Sequence, residues 1–219
     1  MLYPLWTAKP GSGCSTIALA LSVGLAERHR DVLLVDLNGD LAAAAGLSDP
    51  AEGVTDWLAA PEADSAALGR LEVPIRAGVH LLACGRANQW TPTRGEVLYR
   101  LLRHEARDVV IDIATVERWE STAIQQLRRR VAVNDSLLVT RACYLALRRA
   151  ENAPVRPSGV VLVREPGRWI DARGIERTLG APVVAQIDHD PAIARAVDSG
   201  RLVKRLPRPL HRQVGSLAR

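Results

Sequence analysis

Lys9-Pro10-Gly11-Ser12-Gly13-Cys14-Ser15-Thr16 is the stretch of this chain best suited to hold an anion. Small residues let backbone N–H groups approach phosphate oxygens, and a helix N-terminus adds a favourable dipole. Gly11, Ser12, Gly13, Cys14, Ser15 and Thr16 would supply the donors, with residues 2–7 as an opening strand and a helix after the loop. The spacing agrees only in part with G-x-x-x-x-G-K-[ST]. Gly13 and Ser15 fall on the last glycine and the hydroxyl position, but Cys14 stands where lysine belongs. The pattern K-G-G-x-G-K-[ST]-T agrees better: Lys9, Gly11, Gly13, Ser15 and Thr16 match, while Pro10 and Cys14 do not. Pro10 removes one N–H and fixes φ, which is tolerable where that amide is not a phosphate donor. Read in isolation, the alternative is a Gly-rich turn that binds nothing.

The elements that must position this loop alternate along the chain. Besides 2–7, short β-branched apolar runs occur at 32–35, 79–83, 109–113, 137–140, 160–163 and 183–187. Such near-continuous runs predict strands buried on both faces. Helices are expected at 15–29, 54–60, 95–105, 116–130, 144–152, 171–179 and 191–198. The alternation predicts an α/β fold with a mostly parallel central sheet flanked by helices on both faces. Residues 1–219 are expected to form one domain, with 201–219 a basic C-terminal segment and 61–73 the most flexible stretch.

Composition narrows the setting. Apolar content of 47% and charged content of 24% are those of a globular protein, and with no Phe the core falls to Leu, Val, Ile, Ala and Trp. No apolar run approaches the roughly 18 residues a membrane span needs, and no basic region followed by an apolar run marks a secretion signal. Cys14, Cys84 and Cys143 are odd in number and scattered, which points to a reducing cytoplasm and away from disulfides or zinc. The net charge of +5 permits contact with nucleic acid or an anionic membrane.

The loop and the elements around it resemble the MinD/ParA family, the P-loop ATPases with a deviant Walker A motif. Of 29 basic residues only Lys9 and Lys204 are lysines, and Lys9 stands at the family's signature position. Val32 through Asp40 resembles the second strand, which ends in D-x-D; Asp108 to Asp112 resembles the Walker B strand; and 135–141 resembles the strand after it. Gly46-Leu47-Ser48-Asp49-Pro50 with Gly53-Val54-Thr55-Asp56-Trp57-Leu58 is similar to the CpaE/TadZ branch, and 180–200 to the family's closing segment. The resemblance implies a P-loop fold, ATP or ADP with Mg²⁺ as cofactors, and a homodimer in which Lys9 reaches the partner's nucleotide. Ser15, with Asp112 and Asp36 acting through water, would hold the Mg²⁺.

Four positions depart from that pattern. Cys14 cannot set a positive charge against the β and γ phosphates. Asn38 replaces the aspartate that handles the attacking water; an amide orients water but does not accept its proton. Val163 stands where an asparagine reads adenine, and Asp188 where proline is frequent near the base. Loss of Cys14's lysine and Asn38's carboxylate together predict slow or absent turnover. Two cysteines carry other readings. A thiol at a helix N-terminus, as at Cys14, has a lowered pKa and could react or ligate metal; Cys84 resembles a cysteine of the iron–sulfur relatives of this fold, but those need two per subunit, and one at a strand end is more often a buried filler.

The function implied is spatial positioning of an assembly such as a pilus base, division site or DNA cargo, in the cytoplasm or peripherally at membrane or nucleoid, together with a protein partner. Arg128, Arg129, Arg130, Arg148, Arg149, Arg201, Lys204, Arg205, Arg208 and Arg212 are the residues that would meet DNA or an anionic membrane. Pro207 and Pro209 forbid a continuous helix across the basic tail, which is read as solvated and lying along the sheet edge. Two alternatives use the same fold: a nucleotide-free scaffold acting only through protein contacts, and a metallochaperone or reductase relative.

Overall fold

The valine-, leucine- and isoleucine-rich runs are buried because both faces of the sheet they build are covered. A computed structural model describes residues 1–116 and 122–217. In chain order the elements are β1 (Leu2–Thr7), α1 (Cys14–Ala26), β2 (Val32–Asp36), α2 (Leu41–Ala44), α3 (Val54–Ala59), α4 (Ser65–Gly69), β3 (Glu72–Arg76), β4 (Val79–Leu82) and α5 (Pro92–Arg103). They continue with β5 (Asp108–Thr115), α6 (Ala123–Ala132), β6 (Leu137–Arg141), α7 (Tyr144–Glu151), β7 (Gly159–Arg164), α8 (Ala172–Leu179), β8 (Val183–Asp188), α9 (Pro191–Asp198) and α10 (Arg208–Val214). The eight strands form one sheet in the order β3-β4-β2-β5-β1-β6-β7-β8, parallel except for β3, which pairs antiparallel with β4. This is the mostly parallel α/β architecture expected from the alternation.

The order has a functional consequence. β1 lies between β5 and β6, so the chain winds one way from β1 to β2 and β4 and the other way to β7 and β8. The loops at the carboxyl ends of the strands part at that switch, where open α/β sheets bind ligands. α1 is apolar all round, with ten of its thirteen residues buried. Such a helix needs cover on its outer side. α10 supplies it through Leu210 and Val214, both with no exposed surface, followed by Leu217 at 4%. The opposite face of the sheet is closed by Trp57, Leu98, Leu102, Leu127 and Val131 from α3, α5 and α6.

Three expectations are corrected here. The stretch 61–73 is not a loose connection: Asp64 caps α4 by accepting from Ala67 N at 2.7 Å, Trp57 Nε1 donates to Asp64 O at 2.8 Å, and β3 begins at Glu72. Pro74 sits in β3 because an edge strand has backbone amides free of the ladder. The tail is not a solvated strip along the sheet edge. Pro209 occupies the first turn of α10, where its missing N–H costs nothing, and the helix packs on α1. The expected helix 116–130 covers residues 117–121, which lie outside the described residues, as does Arg219; α6 starts at Ala123.

Candidate nucleotide site

Strand pairing brings the carboxylates together. Asp36, the last residue of β2, is directly opposite Asp112 of β5, and Asp112 is in turn opposite Leu5 of β1. Between Leu5 and Trp6 the register skips Ile113, and Ala114 takes φ 60, a conformation uncommon outside glycine. This bulge ends β5 beside the loop that follows β1.

That loop closes on itself through Lys9, whose carbonyl accepts from the Thr7 hydroxyl at 2.9 Å and the Ser12 hydroxyl at 2.8 Å. Gly13 caps α1 in the left-handed conformation at φ 95, which an L side chain would strain. The first helical bond of α1 is Ile17 N to Gly13 O at 3.0 Å. The backbone N–H groups of Gly11, Ser12, Gly13, Cys14, Ser15 and Thr16 therefore find no backbone or side-chain oxygen partner among the described residues. These six residues, at and before the N-terminus of α1, line a cleft of about 590 Å³ together with Asn38, Asp40, Ala114, Thr115 and Asp198. Orphan amides of this kind are satisfied by water or by an anion.

Asp112 has no exposed surface; its Oδ1 accepts from Ala114 N at 3.2 Å and its Oδ2 has no hydrogen-bond partner among the described residues. Burial pushes its carboxyl up to about 6, against opposing contributions from the neighbouring Ser15 hydroxyl and Cys14 thiol and a further upward push from Asp36. A buried, unpartnered carboxylate oxygen beside a hydroxyl is a donor set that suits a hard divalent cation completing its shell with water and phosphate oxygens. Asp36 is engaged differently. Its Oδ1 accepts from Asn38 N at 2.8 Å and Gly39 N at 2.7 Å, and its Oδ2 from Leu41 N at 2.9 Å. It fixes the turn that carries Asn38. Burial raises its pKa, and the three N–H donors hold it down in part.

Cys14 is corrected as a reactive thiol. Burial first, and then the charge of Asp112, push it well above the ordinary thiol value, the direction opposite to a reactive thiolate. Cys84 is pushed up to about 11 by burial and by Asp36, and its carbonyl accepts from Thr55 N at 2.7 Å, where α3 begins. No group of three or more His, Cys, Asp or Glu side chains able to hold a metal occurs among the described residues.

Val163 and Asp188 line a second cleft of about 470 Å³ that adjoins the loop at Gly11, Gly13 and Thr16. Val163 offers it only carbon. Asp188 is half exposed and committed to Arg164 Nε at 2.8 Å and Gln213 Nε2 at 2.9 Å.

The basic residues separate into two groups. Arg128 turns inward: its Nη2 donates to Leu37 O at 2.6 Å and its Nη1 to Thr115 O at 3.5 Å, tying together the chain ends beyond β2 and β5. Arg130 pairs with Glu96 and stacks 3.8 Å from the Tyr99 ring centre, and Arg148 donates to Tyr144 Oη at 2.9 Å. Arg149, Arg201, Lys204, Arg205, Arg208 and Arg212 are exposed, the last five around a module whose apolar side faces α1. Arg129 is half-buried. Arg128 and Arg130 are thus both engaged within the fold, Arg130 with 36% of its side chain still exposed. The inward role of Arg128 and the presence of Asp40 in the cleft were not read from the sequence. An Arg at a helix C-terminus looks like a solvated cation, and only the sheet order shows what it can reach.

No family model matches the chain and no curated protein sequence does. Solved structures match it along its length. The septum site-determining protein MinD complexed with Mg-ADP from Pyrococcus horikoshii OT3 superposes with a TM-score of 0.79 at 20% identity, over 99% of this chain and 93% of that one. A ParA family ATPase from Chlorobium tepidum gives 0.77 at 20% identity, over 99% and 96% of the two chains. The cell division ATPase MinD of Pyrococcus furiosus gives 0.76 at 22% identity, over 99% and 96%. At such identities the likeness is one of fold: this is a P-loop α/β fold of the kind found in MinD and ParA ATPases. No helix among the described residues is long and apolar enough to cross a membrane.

Proposed function

We propose that this chain is a MinD/ParA-like protein that binds ATP or ADP with Mg²⁺, hydrolyses ATP slowly, and positions a cellular assembly as a nucleotide-bound homodimer. The observation that carries this reading is the set of six unpartnered N–H groups from Gly11 to Thr16 at the mouth of the cleft. They would cradle the phosphates. Ser15 and Asp112 would hold Mg²⁺, with Asp36 behind them, and the ion would neutralise charge on the phosphate oxygens. Lys9 would act across the dimer. Asn38 orients water and leaves proton acceptance to another group.

The assembly is a pilus base, division site or DNA cargo reached through a protein partner, in the cytoplasm or peripherally at membrane or nucleoid. The exposed cations Arg148, Arg149, Arg201, Lys204, Arg205, Arg208 and Arg212, together with the half-buried Arg129, are the residues to meet DNA or an anionic surface. A second reading, the nucleotide-free scaffold, is favoured by one observation: the Cys14 side chain is buried against Asp112, so no cation of the loop itself faces the cleft.

Titration calorimetry with Mg-ATP and Mg-ADP, followed by size-exclusion chromatography, separates the two. The nucleotide reading expects saturable binding and an ATP-dependent shift to dimer that Lys9→Ala removes. Absence of heat and of any thermal shift at millimolar nucleotide would leave the scaffold.

A further inference from the structure

Asn38 deprives the cleft of one carboxylate, yet another stands two residues on. Gly39 takes φ 100, and the chain folds back so that Asn38 Nδ2 donates to Asp40 Oδ2 at 2.6 Å. An ionised carboxylate only accepts, so the amide must turn its NH₂ toward it. The same nitrogen lies 3.4 Å from Ser15 Oγ. Ser15, Asn38 and Asp40 thus form a row from the hydroxyl beside Asp112 to a carboxylate on the cleft wall.

Asp40 is free for such work because it does not cap its own helix. Aspartate before a helix ordinarily accepts from a first-turn N–H. Here the Asp40 side chain makes no capping bond to α2, and Leu41 N donates to Asp36 instead. Asp40 lines the cleft together with residues 10–16, and its Oδ1 has no partner among the described residues. Asp198, at the end of α9, is the other carboxylate on that wall, but no hydrogen bond joins it to Ser15 or Asn38.

Resting on the nucleotide reading above, we propose that Asp40 is the proton acceptor for hydrolysis in this cleft, with Asn38 orienting the water. The water oxygen bonds to the γ-phosphorus of ATP. The bond from that phosphorus to the bridging oxygen breaks, and ADP leaves with its electron pair. The water's proton passes to the Asp40 carboxylate and from there to solvent, and the products are ADP and inorganic phosphate. The water-handling carboxylate has moved from position 38 to position 40, with the amide between it and Ser15.

Phosphate release from Mg-ATP under single-turnover conditions, measured on the full chain beside calorimetric Kd values, tests this. Asp40→Asn is expected to slow release roughly 100-fold or more, the scale of a general base, with the Kd for Mg-ATP unchanged. Glu52→Gln, at an exposed carboxyl that lines neither cleft, is expected to leave the rate alone. The double variant Asn38→Asp/Asp40→Asn should recover the rate, because it restores a carboxylate one step from Ser15. An unslowed Asp40→Asn, a loss that the double variant does not repair, or unmodified protein that binds Mg-ATP without ever releasing phosphate would each overturn the assignment. Absence of nucleotide binding would instead show in the calorimetry and would remove the underlying reading too.

Discussion

Replacing Cys14 by lysine tests whether the loop still addresses phosphate. Cys14 has 6% of its surface exposed, and its thiol sits beside the buried carboxyl of Asp112. A lysine there has two places for its ammonium: forward over Gly13 into the cleft, or back against Asp112. A hydrogen bond to a charged group is worth about 1.5–3 kcal/mol. If the ammonium meets the β and γ phosphates, Mg-ATP binding tightens roughly 10- to 100-fold. If it meets Asp112, the carboxyl, now at about 6, falls, since a neighbouring cation favours the ionised form. Calorimetry gives the first quantity and the Asp112 side-chain carbon resonance followed against pH gives the second. Tighter binding of Mg-ATP supports a working cradle. A lowered Asp112 titration with no gain in affinity would refute the reasoning, because it places a lysine in the loop and finds no phosphate for it.

Asp112 also makes stability depend on pH. Its folded carboxyl keeps its proton up to about 6 against an ordinary value of 3.8, so between these values the folded state binds more protons and stability falls as pH rises. Asp112→Asn should therefore stabilise the nucleotide-free protein near neutral pH by on the order of 2–3 kcal/mol, with the gain shrinking as pH falls from about 6 and gone below 3.8; urea titrations at several pH values check it. The same variant should lose the Mg²⁺ dependence of nucleotide binding. Arg128→Ala removes the bonds to Leu37 O and Thr115 O and should cost about 1–3 kcal/mol, while any affinity for DNA keeps its salt dependence. Leu210→Ala empties a fully buried site between α10 and α1 and should cost about 2–5 kcal/mol, read by thermal denaturation; a tail free in solvent would show no change.

The sheet was legible because strands covered on both faces need no polar alternation, and 32–35, 109–113 and 160–163 announce themselves as continuous apolar runs. β3 was hidden because an edge strand is only half buried: Glu72, Val73 and Ile75 are partly exposed and Pro74 interrupts the pattern. α10 was hidden by prolines that break a helix interior but suit its first turn, and by Leu210 and Val214, whose burial depends on a partner nearly two hundred residues earlier. At the site, the loop followed from the motif and the nearness of Asp36 to Asp112 from the resemblance; their direct pairing needed the strand order, which the sequence did not show. The turn at Gly39 did not, since whether Asp40 caps α2 or faces Asn38 depends on which carboxylate takes the N–H of Leu41. Cys14 misled for an electrostatic reason. A helix N-terminus favours a thiolate, but burial and the charge of Asp112, which the sequence did not reveal, push the thiol upward.

The central claim is that the amides of Gly11 to Thr16 are donors waiting for a phosphate chain. Amide resonances of the ¹⁵N-labelled protein, followed as Mg-ADP is added, address it residue by residue. The account predicts saturable downfield proton shifts for Gly11, Gly13, Ser15 and Thr16, with Mg²⁺ required for the full effect. Unmoved resonances at millimolar nucleotide, or shifts confined to other parts of the chain, would contradict it.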